Sequence, residues 1–320
     1  MNISVYITSF NQRDYLAEAI DSVLNQSLRP FEIIVVDDAS SDGSQEMIRS
    51  YAQRYPDLIR GFYHRRNRGI APNKAFAQKQ VKGEWFTYID GDDRFLPQKL
   101  DNEYRALDRN QDADVVFSNF YFIDEHGVRT GIWATEETHI PNGDIFNHVF
   151  ARSFPGQVVF RNELVSRRCL DAVGTYDLSR RTHEDWDWKI RISKQFRMIY
   201  CPKTGIEYRR HGDSISSQMS AAQLLREIIG VYESNRSLLA DLPDVQRGEL
   251  VRELGECLRR RAKRVVRGDA IRGRRIKALM HGIEFRSWLR PMFVIKMCLP
   301  GAVFHRAKKL IPPNRRRHIS

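Results

Sequence analysis

No apolar run in this chain approaches the ~20 residues that a membrane-spanning helix needs. The nearest candidate, PMFVIKMCLPGAVF (291–304), is short and is broken by Lys296 and Pro300. Cysteine is scarce as well. Cys169, Cys201, Cys257 and Cys298 are the only four, and no two are close enough for a zinc-type pair. Such scattered thiols argue against a disulfide scaffold and fit a reducing cytoplasm. The opening stretch NISVYITSF carries neither a basic leader region nor a cleavage site, so no secretory leader is expected. Internal repeats are also missing.

Charge is plentiful but uneven. The chain has a formal net charge of +12, yet residues 218–320 hold 23 Lys+Arg against 9 Asp+Glu, while residues 1–217 hold 29 against 31. A near-neutral body of 1–217 is therefore expected to be followed by a basic extension, 218–320. Such an extension suits anionic partners: a membrane surface, nucleic acid or phosphorylated lipid.

Within the body, short β-branched runs alternate with helical periodicities. Residues 3–8, 31–38, 58–64, 84–90 and 113–120 read as strands. Between them, DYLAEAIDSVLNQ places Leu16, Ile20, Val23 and Leu24 on one helical face. A second helix is expected to begin at Ser44 as its N-cap, an Ala-rich helix to follow NRGIAPNKA, and a further helix to begin with Pro97 at its first position. The alternation is that of an α/β fold with a mostly parallel sheet. Beyond residue 120 the pattern loosens. A helix near 162–172, a helix over 182–195 and a strand pair from Met198 are expected there, and from about 217 the chain turns helical and Arg-rich.

Ligands of open α/β sheets bind beyond the carboxyl ends of the strands. Three polar clusters fall on such ends: Thr8 to Asn11, Asp37–Asp38, and Asp90, Asp92 and Asp93 in YIDGDDRF. Hard anionic oxygens suit Mg²⁺ or Mn²⁺, ions that commonly bridge to substrate phosphates. The inference is a site for a nucleotide diphosphate with a divalent ion. Asp-Gly-Asp is also common turn chemistry, so a solvated turn stands beside that reading. A calcium loop fits poorly, because Arg94 occupies the place of its fifth-position oxygen ligand. A second acidic cluster, THEDWDW (182–188), has Thr182 and Asp185 in a capping-box-like arrangement and Asp185–Lys189 and Asp187–Arg191 at salt-bridge spacing. Flanked by Trp186 and Trp188, the same carboxylates suit a tuned base or a sugar-binding wall. His211, with Arg209 and Arg210 beside it, reads either as polar surface or as a partner for a diphosphate.

Together these stretches resemble glycosyltransferase family 2, the inverting enzymes of GT-A fold. The resemblance runs through VYITSFNQRDYLAEAIDSVLNQSLRPFEIIVVDDASSDGS, NRGIAPNKA, KGEWFTYIDGDDRFLP, HEDWDWKIRI and YRRHGDSIS, in the family's order and spacing, over roughly residues 2–217. It implies nucleotide-sugar contacts from Thr8, Asn11, Asp38, Arg68, Asn73, Asp90, Arg209 and Arg210. It implies a Mn²⁺ or Mg²⁺ ion held by Asp92 with His211 and Asp90, and Asp185 as general base. The QxxRW signature of processive members is absent, which points to transfer of a single sugar. The implied reaction moves sugar from a nucleotide diphosphate donor, UDP-linked by expectation, to a hydroxyl of a glycan or lipid-linked acceptor in cell-surface polysaccharide or lipopolysaccharide synthesis. The alternative is a non-catalytic module that binds sugar nucleotide or an anionic surface.

Residues 257–320 hold 19 basic and 2 acidic side chains interleaved with apolar ones. This pattern reads as a peripheral anchor on an anionic membrane, at the cytoplasmic face of the plasma (inner) membrane, or as helices packed on the catalytic body. Nucleic acid is not an expected partner, because it would leave the strand-end carboxylates without a role.

Overall fold

The computed structural model describes residues 2–212, 218–272, 274–285, 287 and 289. Two compact units emerge, divided after Gln218.

The first unit opens with β1 (Ile3–Ser9), α1 (Arg13–Leu24), β2 (Glu32–Asp37), α2 (Ser44–Arg54), β3 (Ile59–Tyr63), α3 (Ile70–Gln80) and β4 (Trp85–Asp90). Next come β5 (Arg94–Phe95), α4 (Lys99–Asp108), β6 (Val115–Ile123) and β7 (Arg129–Ile132). The unit closes with α5 (Phe146–Ala151), β8 (Leu164–Ser166), α6 (Arg167–Val173), α7 (Glu184–Ser193) and β9 (Met198–Arg209). One sheet joins the strands in the order β3-β2-β1-β4-β8-β6-β9-β5, with β7 beside β6. The long ladders are parallel (β1 with β2 and β4, β2 with β3, β6 with β9), and β8 enters antiparallel between β4 and β6. The mostly parallel α/β sheet expected from the sequence is therefore present.

All residues of β1 and β2 are buried. This is the consequence of a parallel sheet covered on both faces, and it explains why both strands read as unbroken apolar runs. Helix α1 covers the sheet with Leu16, Ile20 and Val23 of the expected face; Ala19 is buried with them, while Leu24, at the end of the helix, is only half-buried. Register then levels the strand ends: Thr8 lies opposite both Val36 and Asp90, and Ser9 opposite Asp37. The polar clusters at the ends of β1, β2 and β4 therefore share one edge of the sheet.

Several local expectations are corrected. Ser44 is the first residue of α2, not its cap. Gly43 takes the cap position with φ 94°, and the Asp42 carboxylate accepts from the Ser44 N–H at 3.0 Å. Pro97 precedes α4, whose cap position is Gln98. The Pro97 carbonyl accepts from the Ser27 N–H at 2.8 Å, which holds it outside the helix. The segment 162–172 is a short strand followed by α6 rather than one helix. His183, in a left-handed conformation, takes the cap position of α7 without a side-chain capping bond, so the cap falls on His183 and not on Thr182. The strand pair expected from Met198 is one strand, β9. Its register against β6 shifts around Ser118–Phe120, where Pro202, Lys203 and Gly205 are looped past the ladder. Proline lacks the N–H that a regular ladder needs, and a bulge absorbs it without ending the strand.

The second unit contains α8 (Ala221–Asn235), α9 (Asp244–Ile271) and α10 (Arg275–Glu284). A capping box at Ser220 and Gln223 starts α8, and α9 buries Leu250, Leu254, Leu258, Ala262, Val265 and Val266 at helical spacing. Among the described residues no helix is long and apolar enough to cross a membrane. Of the basic, apolar-interleaved tail read as a membrane anchor, residues 286–320 lie outside the described residues apart from Ser287 and Leu289.

Candidate active site

The first wall of the site is the edge shared by β1, β2 and β4. Asp38 is 2% exposed, and its two oxygens accept from the Arg68 N–H (2.9 Å) and the Gly69 N–H (2.8 Å). The expected nucleotide contact is thus first a clamp on the Arg68–Gly69 loop, which opens α3 with Gly69 at φ 91°. The Arg68 side chain is exposed, free of that clamp. Asn11, at φ 51°, ties the facing loop: its Oδ1 accepts from the Ser41 N–H at 2.9 Å, and its own N–H donates to Ser40 Oγ at 2.8 Å. Thr8 is 7% exposed, and its carbonyl accepts from the Gly91 N–H at 2.9 Å. Asn73 is buried behind this edge, its Nδ2 3.4 Å from the Val36 carbonyl, and so is not brought to the loop surface.

The three carboxylates after β4 have separate environments. Asp90 is gripped by two cations, Lys74 Nζ at 2.8 Å and Arg161 Nη2 at 2.9 Å. Burial opposes its ionisation, but Lys74 and Arg161 outweigh burial and hold the carboxyl below the usual range. Asp92 Oδ2 and His211 Nε2 share a hydrogen bond of 3.0 Å. Asp93 is fully buried, accepts from the Arg209 N–H at 2.8 Å, and is pushed well up by burial and by the neighbouring Asp92 charge. Gly91 is a close-packing position. A Cβ there would lie 2.8 Å from Gln12 Oε1 and 3.1 Å from the Thr8 carbonyl.

A carboxylate oxygen and an imidazole nitrogen already in contact suit a divalent ion, so Asp92 and His211 fit the expected metal. Among the described residues no third His, Cys, Asp or Glu completes a group with them. Asp90, expected in that shell, is turned instead to Lys74 and Arg161, because two buried cations compete for its oxygens.

The opposite wall is the start of α7. Asp185 accepts from the Trp186 N–H at 2.8 Å and from Lys189 Nζ at 3.0 Å, and 23% of its side chain is exposed. Burial opposes its charge, but Lys189, Arg161 and Lys74 together hold the carboxyl well below the usual range. Lys189 is itself fully buried. It also reaches Glu163 at 3.5 Å and the Tyr88 hydroxyl at 3.3 Å. Lys74 completes the connection, with Glu184 Oε1 3.1 Å from the Nζ that holds Asp90. Burial raises the carboxyls of both Glu184 and Glu163. The result is an alternating lattice of acids and bases that joins the end of β4 to the start of α7.

The two expected arginines behave differently from the expectation. Arg209 is 2% exposed. Its guanidinium donates to the carbonyls of Asp92 (2.8 Å) and Glu125 (3.0 Å), pairs with Glu18 at 2.6 Å and stacks on Tyr15. It holds the loops around Asp92 together. Arg210 lies over the Phe122 ring at 3.7 Å and lines a shallow depression with Asp124, His126 and His211. Lys74, Arg161 and Glu163 escaped the sequence reading, whereas Lys189 is the salt-bridge partner that its spacing from Asp185 offered. The available signal was charge set inside apolar runs, as in VVFRNELV.

Comparison with known proteins speaks to the family and the fold. Residues 4–163, half of the chain, match the model of glycosyl transferase family 2. An uncharacterized glycosyltransferase of Methanocaldococcus jannaschii is 33% identical over 127 residues, covering 39% of this chain and 43% of that protein. An uncharacterized protein of Mycobacterium tuberculosis is 29% identical over 222 residues, 67% of this chain and 60% of that protein. The chain thus spans about half the length of the curated relatives it matches. Among solved structures, S. aureus TarS superposes with a TM-score of 0.65 at 17% identity, over 97% of this chain and 53% of that one. The mannosyltransferase PcManGT from Pyrobaculum calidifontis, in complex with GDP-Man and Mn²⁺, gives 0.56 at 14% identity, over 98% and 82%. At such identities the structures speak for the fold, and that fold is GT-A. With residues 4–163, half of the chain, on the family's model, the chain belongs to glycosyl transferase family 2.

Proposed function

We propose that this protein is a metal-dependent inverting glycosyltransferase that moves one sugar from a nucleotide diphosphate donor to a hydroxyl of a glycan or lipid-linked acceptor. The observation that carries the reading is Asp185. It is a carboxylate kept ionised by Lys189 at 3.0 Å yet still open to solvent, and the ionic lattice links it to Asp90 at the end of β4, two residues before Asp92, which meets His211 at 3.0 Å. In the reaction Asp185 accepts the proton of the acceptor hydroxyl as that oxygen attacks the anomeric carbon. The bond from that carbon to the diphosphate oxygen breaks on the opposite face, and configuration inverts. A Mn²⁺ or Mg²⁺ ion at Asp92 and His211 would supply Lewis-acid stabilisation of the leaving diphosphate. Asp38 orders the Arg68–Gly69 loop over the nucleotide, and Arg209 braces the loop of Asp92.

UDP is the favoured donor nucleotide. Support comes from a fold neighbour, TarS 1–349, solved with UDP-GlcNAc, although PcManGT was solved with GDP-Man, so both nucleotides belong in the test. The measurement is nucleotide diphosphate release from a donor panel with Mn²⁺, beside Asp185→Asn. The variant is expected to keep donor affinity and lose turnover, and a variant within about tenfold of the parent rate refutes the base assignment.

The excess of 23 Lys+Arg over 9 Asp+Glu in residues 218–320 supports a peripheral site of action on an anionic bilayer, at the cytoplasmic face, in cell-surface glycan synthesis. Co-sedimentation with anionic but not with neutral vesicles is the expected result, and equal sedimentation with both overturns it.

A further inference from the structure

Residues 161–163, Arg-Asn-Glu, sit between the two walls of the site. Asn162 is fully buried at φ 52°, a left-handed backbone that costs an asparagine on the order of 1 kcal/mol. Two hydrogen bonds to β4 hold it there: Nδ2 donates to the Tyr88 carbonyl at 2.7 Å, and its own carbonyl accepts from Thr87 Oγ1 at 2.8 Å. Pinned in this way, Asn162 sends its neighbours in different directions. Arg161 goes to Asp90 at 2.9 Å and approaches Asp93 at 3.8 Å, while Glu163 goes to Lys189, the partner of Asp185.

The Arg161 guanidinium is fixed in plane as well as in place, with Cζ 3.9 Å from the centre of the Tyr208 ring. Nη2 is engaged with a carboxylate and Nε is buried without a hydrogen-bond partner among the described residues, so the Nη1 side is the edge left for a ligand. The side chain is 17% exposed, so this largely buried cation is not wholly closed to solvent. An inverting displacement puts the sugar between its leaving diphosphate, at the Asp92 wall, and the acceptor, at the Asp185 wall. A sugar held between those two groups would lie near Arg161, because the 161–163 segment reaches Asp90 on one side and Lys189, the partner of Asp185, on the other.

We infer that Arg161 contacts the transferred sugar, donating from its open guanidinium edge to a pair of neighbouring oxygens on the ring or its substituents, and so makes the site distinguish sugar nucleotide from free nucleotide. A rigid planar fork suits paired oxygens in a way that a lysine ammonium does not. This inference rests on the glycosyl-transfer reading above.

Titration calorimetry on the full chain with Mn²⁺ tests it, using UDP, UDP-glucose, UDP-N-acetylglucosamine, GDP and GDP-mannose. For the nucleotide pair that binds, Arg161→Met is expected to weaken the sugar form about tenfold or more while changing the free nucleotide less than about twofold, as loss of a charged hydrogen bond predicts. Arg161→Lys keeps a cation for Asp90 and decides the matter if the methionine variant does not fold. It is expected to show the same selective loss at smaller size. Equal losses on sugar form and free nucleotide, or no loss on either, overturn the inference and leave the proposed function standing. A parent protein that binds none of the five removes the underlying reading too.

Discussion

Lys189 offers the sharpest test of how the site works, because it is a buried cation set between two carboxylates, Glu163 and the nearer Asp185. Its Nζ lies 3.0 Å from Asp185 Oδ2. At an effective dielectric constant of about 20, unit charges at that separation attract by roughly 5 kcal/mol. Asp185 keeps 23% of its side chain exposed, and water there screens the pair, so about half of that value is the better expectation. Half corresponds to about 2 pH units. In the parent protein the Asp185 carboxyl is depressed, so it remains ionised until the pH falls well below the usual carboxylate range, and the acid limb of kcat/KM lies low. Lys189→Met removes the attraction but retains an unbranched chain against the Phe160 and Tyr88 rings. Glu163, whose carboxyl burial already raises, takes up a proton and so avoids standing as an unpaired buried charge. The expected result is an acid limb displaced upward by about 2 pH units, with turnover recovering above it. The assay is nucleotide release against pH with a donor that the parent uses, with circular dichroism to establish folding. A folded Lys189→Met whose acid limb has not moved, or whose loss is the same at every pH, refutes the account of Asp185 as a base kept ionised by Lys189.

Other perturbations probe the opposite wall. Gly91→Ala places a methyl 3.1 Å from the Thr8 carbonyl, which is backbone and cannot step aside; a stability loss of about 1–3 kcal/mol by urea unfolding is expected, and an unchanged midpoint contradicts the close packing. Asp38→Asn offers one acceptor where the Arg68 and Gly69 N–H groups use two, so the loop loosens; faster limited proteolysis near residues 65–69 and weaker nucleotide binding are expected together. Asp92→Ala is expected to abolish the Mn²⁺ dependence of UDP binding, and unchanged binding with Mn²⁺ contradicts the assignment of Asp92 and His211.

What could be read in the sequence follows from where the physics is local. Strands β1, β2 and β4 were plain because burial on both faces forces β-branched runs, and the acids that end them were plain because such runs stop abruptly at them. The spacing of Asp185 and Lys189 allowed either a salt bridge or a base, and the structure makes the pair a salt bridge without closing Asp185 to solvent. Lys74 was opaque because a lysine on a helix reads as a solvated face; here it is buried, and Glu184, more than a hundred residues away, is one of its partners. Arg161 was hidden for the same reason, its partners Asp90 and Asp93 being brought to it only by the insertion of β8 beside β4. Arg209 shows the converse error. Its neighbours in sequence suggested an anion, but its neighbours in space are carbonyls.

The ionic lattice has an evolutionary corollary. Its members, Lys74, Asp90, Arg161, Glu163, Glu184, Asp185 and Lys189, come from α3, the end of β4, the approach to β8, and α7. None comes from residues 124–157, which support the lattice through backbone, the Glu125 carbonyl accepting from Arg209 and the Val149 carbonyl from the Trp186 indole N–H. Side chains in that stretch can therefore be exchanged without removing a single ion pair of the lattice, so long as those two carbonyls stay in place.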